Sequence, residues 1–133
     1  MYFPLQAEQE KAVTEEAKKQ LAEKELKEQL ASIQSQVTAN ERSLARLNET
    51  AMKLTTEKLD ISSTIQRHRQ QAASYILNEG RIPDHLVSAM DGLEFSLRYL
   101  NAEISSVEEQ ISDVRSTLSS LRSEEKKLGA KAL

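Results

Sequence analysis

His68 and His85 are the only two histidines in this 133-residue sequence, and so the side chains best suited to proton transfer near neutral pH. Cysteine is absent, which removes thiolate nucleophiles and disulfides alike. Two histidines without further donors fall short of the four ligands that a structural zinc site uses. No glycine-rich phosphate loop and no histidine pair at metal-ligand spacing occurs. The expectation is therefore no enzyme, no cofactor and no metal. His68 and His85 flank the one break in the sequence and could approach each other across a hairpin mouth, but His68 is read as a structural residue. Asn48-Glu49-Thr50 matches a glycosylation sequon within a helix-forming stretch, where chance explains it. The serines at 105, 106, 116, 119, 120 and 123 could accept phosphate, but are expected simply to keep an outer face wet.

Composition points to long helices. Only 4% of residues are aromatic, tryptophan is absent, and the chain holds 3 glycines and 2 prolines. Charged residues make up 29% against 38% hydrophobic, the balance of helices that bury one apolar stripe each. The net charge of −3 mixes both signs along the chain, and Arg67-His68-Arg69 is the densest basic spot, so nucleic acid is not an expected partner. No apolar run has the length of a membrane span or a signal segment, and no membrane partner is expected. Cytoplasmic localisation is the default expectation, since cysteine-free chains suit a reducing compartment.

One punctuation mark divides the helical pattern, at residues 79–84. Gly80 suits a left-handed helix end, Pro83 the start of the next helix, and Asp84 complements that helix's dipole. The expected layout is a helical overhang over 1–25, coiled-coil helix 1 over 26–78, a turn over 79–84 and coiled-coil helix 2 over 85–130. Met1-Tyr2-Phe3-Pro4 looks like a start that belongs elsewhere, as in a piece of a longer protein. Across helix 1 a 4-3 alternation selects fifteen positions from Leu26 to Tyr75, twelve of them apolar. Across helix 2 it selects thirteen from Leu86 to Leu128, apolar except Glu125. Sustained 3.5-residue periodicity of this kind makes a coiled-coil seam.

Folding the chain about residue 81 sets Leu97 opposite Ile65, Val114 opposite Leu47 and Leu128 opposite Ile33. The two seams then have matching lengths, which favours an all-α fold: two long helices in an antiparallel coiled-coil hairpin. The alternative is a parallel dimeric coiled coil with a break at 79–84. Residues 1–25 then project as an overhang of about 40 Å, poor in apolar surface and in need of cover. Asn40, Lys58, His68 and Glu125 interrupt the seams, and such residues fix register at a cost in stability. Opposite the helix 2 seam, Ser88, Gly92, Phe95, Tyr99 and Ala102 form a small or aromatic stripe, and Leu77 is an outward apolar residue of helix 1. Gly92, Phe95, Tyr99 and Leu77 are thus candidates for contact with a protein partner.

The string Leu93-Glu94-Phe95-Ser96-Leu97-Arg98-Tyr99-Leu100-Asn101-Ala102-Glu103-Ile104 resembles one in the stalks of kinesin-4 family motors and their Hedgehog-pathway relatives. That pattern runs roughly Leu-x-x-x-Ile-x-Tyr-x-Asn-x-x-Ile, and Leu93, Leu97, Tyr99, Asn101 and Ile104 fall on its named positions. It follows a short Gly- or Pro-containing break and a run like Glu57-Lys58-Leu59-Asp60-Ile61. The resemblance covers about residues 44 to 115 and does not extend to the first twenty-five. It implies a non-motor coiled-coil segment of a microtubule motor, one that folds back on the motor domain or binds cargo and signalling partners. The expected partners are then the chain's own motor domain, a second copy in a homodimer, or another coiled-coil or cargo protein, with microtubule association to match. The alternative is a small coiled-coil stalk protein of a bacterial flagellar or type III export ATPase, which fits in length and architecture but shares no residues beyond the heptads. A tethering or scaffold coil is a third possibility.

Overall fold

The computed structural model describes the backbone of residues 3–132 and the side chains of residues 9–131. Two α-helices make up almost all of it: α1, Phe3–Glu79, and α2, Asp84–Ala132. Among the described residues there is no strand. The fold is an all-α antiparallel helical hairpin. No described helix is long and apolar enough to cross a membrane. Met1 and Tyr2, part of the start that looked foreign to the chain, lie outside the described residues.

The break is built by two backbone devices. Gly80 takes a φ of 75°, the left-handed conformation that costs a Cβ-bearing residue about 1–2 kcal/mol. Its N–H donates to the Ile76 carbonyl at 3.0 Å, which satisfies one of the carbonyls that a helix end leaves without a partner. Pro83 is the last residue of the turn, immediately before α2. Its carbonyl accepts from the N–H groups of Leu86 at 3.0 Å and Val87 at 3.2 Å, which is the role of the residue capping a helix N-terminus. Asp84 consequently falls inside α2, in its first turn, where its charge faces the positive end of the dipole. Glu79 is likewise helical, so the turn occupies residues 80–83 rather than 79–84.

Contacts divide the chain into two units, residues 43–115 and residues up to 42 together with those from 116 onward. In the unit of residues 43–115, α1 and α2 meet along Ile65, Ala72, Leu86, Leu100 and Ile111, all buried. In the other unit the buried residues are Ile33 from α1 and Leu118 and Leu121 from α2. Every other seam position from Leu26 to Tyr75 and from Leu86 to Leu128 is half-buried. Among the described residues no large side chain is fully enclosed, because each helix has only one neighbour to cover it.

Cross-helix ion pairs give the register within each unit. Arg69 Nη2 lies 3.7 Å from Glu94 Oε1, and Arg122 Nη2 lies 3.0 Å from Glu41 Oε1. In each pair the two residues are equally distant in sequence from the point between Arg81 and Ile82. Every described side chain from Gln9 to Glu25 is exposed. That stretch belongs to α1 without a break, and Leu26, the first seam position, is the first half-buried residue among those described.

Candidate functional site

The interrupting seam residues all sit half-buried, and Asn40 and His68 find polar partners on their own helix. Asn40 Nδ2 donates to the Gln36 carbonyl at 2.8 Å, one turn back on its own helix. His68 Nδ1 lies 3.3 Å from Gln71 Oε1, also on α1. Glu125 lines a groove with Val37, Glu41, Arg122 and Lys126. Lys58 is half-buried, consistent with a stem that packs while the ammonium reaches water.

The structure separates the two histidines. By the register of the Arg69–Glu94 pair, His85 stands level with Asn78, ten residues along α1 from His68. That is about 15 Å of helix, too far for one metal ion or one proton relay. Among the described residues no group of three or more His, Asp or Glu side chains could hold a metal. Asn48-Glu49-Thr50 lies mid-helix, with the Thr50 hydroxyl donating to the Arg46 carbonyl at 3.0 Å. Thr38, Thr55, Thr56 and Thr64 make the same bond to the carbonyl one turn back, so their hydroxyls need no outside partner.

Two further open grooves run beside the seam. One, of about 430 Å³, has Ile33 and Leu128 as its floor, with Gln29, Ser32, Glu124, Lys127 and Lys131 around them. The other, of about 370 Å³, is bordered by Ser62, Gln66, Arg69, Glu94, Arg98 and Asn101 over Ile65 and Leu97. Both are shallow and flanked by polar side chains, unlike a small-molecule pocket that buries most of its ligand.

The outward residues are the most exposed large apolar groups near the turn: Leu77 at 86%, Phe95 at 72% and Tyr99 at 62%. Phe95 stands two residues past the seam residue Leu93, so it points away from α1. Leu77 stands two residues past Tyr75 and points away from α2. The two therefore occupy opposite sides of the hairpin, and Leu77 cannot share a flat docking patch with Phe95 and Tyr99. Ile76 and Val87 are also exposed beside the turn. Tyr99 is tied to Glu103 one turn on: its hydroxyl hydrogen bonds to that carboxylate, which raises the phenol above its ordinary pKa of 10.0. Gly92 opens a gap in this stripe, with no atom within 4 Å of where a Cβ would stand.

Sequence reasoning missed the cross-helix ion pairs seen among the described residues. In the sequence Arg69 belongs to the basic Arg67-His68-Arg69 spot, and only the folded register brings Glu94 beside it. The same applies to Glu41 and Arg122, which lie 81 residues apart in the chain. Comparison with protein families, with characterised proteins and with solved structures finds no match to this chain.

Proposed function

We propose that this chain is a non-catalytic coiled-coil element that acts through protein contacts, as part of the stalk of a kinesin-4-like microtubule motor. In that setting it folds back on the motor domain to hold it inactive, or carries a cargo or signalling partner, in the cytoplasm and near microtubules. The observation that carries this reading is the placement of Tyr99 and Asn101. Leu93, Leu97 and Ile104 of the kinesin-like string lie in the seam, where any coiled coil needs apolar residues. Tyr99 and Asn101 are exposed, and the heptad demands neither. A solvent-facing tyrosine among the few aromatic residues of such a chain is what a contact surface uses, since aromatic side chains dominate interface energetics. The export-ATPase alternative lacks a comparable residue-level observation.

The test is binding of the full chain to a kinesin-4 motor domain, with an export ATPase as the contrast, and microtubule-stimulated ATP hydrolysis as a second readout. Binding to the motor domain that weakens in Tyr99→Ala and Asn101→Ala is the expected result. Binding to the export ATPase alone would overturn the proposal.

A further inference from the structure

A second 4-3 alternation runs along α2 on the side turned away from α1: Ser88, Gly92, Phe95, Tyr99, Ala102 and Ser106, all of them exposed. Each stands about 200° around the helix from a seam position two residues before it. Outward from the midpoint at residue 97, the order is the same in both directions: aromatic, small, polar. A stripe with that order is complementary to itself under a two-fold axis, which is the condition an isologous dimer must meet. A helix from an unrelated protein would place no such symmetry on it.

We propose that two copies of the chain associate through this face, α2 against α2 and antiparallel. Phe95 then lies against the second copy's Tyr99, and Gly92 against the second copy's Ala102. The proposal rests on the reading that the chain works by protein contact, and it names a second copy as one partner. Three features support it. A 3.5-residue repeat keeps one stripe facing a neighbouring helix along its length, so the outward alternation is the pattern of a second seam rather than of scattered surface residues. Gly92 weakens its own helix, and no contact within the chain calls for the missing Cβ. Beside another helix, its absence shortens the backbone separation and lets the adjacent rings pack. Finally, the Tyr99 hydroxyl is already bonded to Glu103 on the same helix, so covering the ring leaves no polar group without a partner.

The natural chain has no cysteine, so disulfide trapping can map the contact. Under mild oxidation, Gly92→Cys/Ala102→Cys is expected to form a covalent dimer while either single variant stays uncross-linked. The two positions lie about 15 Å apart on one helix, beyond the roughly 4.4–6.8 Å between Cα atoms that a disulfide spans, so a bond between them must join two chains. Ser88→Cys/Ser106→Cys gives the same test without touching Gly92. Sedimentation equilibrium of the full chain should show a dimer that Phe95→Glu/Tyr99→Glu abolishes with helicity unchanged. Cross-linking of Gly92→Cys alone, which signals parallel copies, or a monomer at every concentration would overturn the proposal. A monomer that still binds the motor domain would overturn this pairing and leave the functional reading standing; a dimer that binds no motor domain would do the reverse.

Discussion

Ile65→Ala probes the seam at a place where the cost can be worked out. Ile65 is 4% exposed in the seam of α1, and the groove beside it also reaches Leu97. The substitution removes three carbons, worth about 2.4 kcal/mol at about 0.8 kcal/mol per buried methylene. The cavity term is small, because the groove is open and water or a neighbouring side chain can fill the space. Alanine's better helix propensity returns up to about 0.5 kcal/mol. The expected loss is about 2 kcal/mol, near the low end for deletions of large core side chains. Leu59, six residues earlier on the same helix and 63% exposed, is the control. Leu59→Ala should change stability by less than about 0.5 kcal/mol. Urea unfolding followed by circular dichroism at 222 nm, at two protein concentrations to separate folding from association, measures both. Equal losses at the two positions would refute the assignment of the α1 seam.

Gly80→Ala forces a Cβ-bearing residue into the left-handed region at φ 75° and should cost about 1–2 kcal/mol, although no atom crowds the new methyl. Gly92→Ala should do the opposite, raising unfolding free energy by up to about 1 kcal/mol at concentrations where the chain is monomeric. Replacing Glu41 by Arg should cost about 0.2–1 kcal/mol, recovered in the double variant with Arg122→Glu and lost in high salt, because the pair is largely solvent-exposed. Ultraviolet titration should find one tyrosine ionising above the usual range, and Glu103→Gln should return it to that range. A phenol held protonated in the folded state adds stability below its unfolded pKa near 10, and that stability falls away as pH rises through the folded value.

The seams were legible because a 3.5-residue period leaves one helix face, and burial follows it from Leu26 to Tyr75 and from Leu86 to Leu128. Gly80 was legible for the same kind of reason: a short polar break with one glycine leaves little choice for the residue that turns left-handed. What was not legible depends on angles or on distant pairing. Pro83 caps α2 through its carbonyl, an atom that every residue carries and that no side-chain pattern marks. The Arg69–Glu94 and Glu41–Arg122 pairs exist only once the register is fixed, and long charged side chains have many alternative partners within one turn. The outward positions of Leu77 and Phe95 could each be counted from the heptad. Their placement on opposite sides of the hairpin requires the relative facing of two helices. His68 and His85 are near neighbours of the turn in sequence, but a fold-back spaces them along the axis by their unequal distances from it.

The account stands or falls on whether one chain folds back on itself in this register, and a disulfide between Ile33→Cys and Leu128→Cys tests that most directly. Both side chains reach the same groove between α1 and α2. Oxidation of the double variant at low concentration is expected to give a cross-link within a single chain, with faster migration in a non-reducing gel and no change in mass. The out-of-register pair Ile33→Cys and Leu121→Cys should not form one. Cross-links found only between chains would contradict the hairpin and favour parallel helices from separate copies.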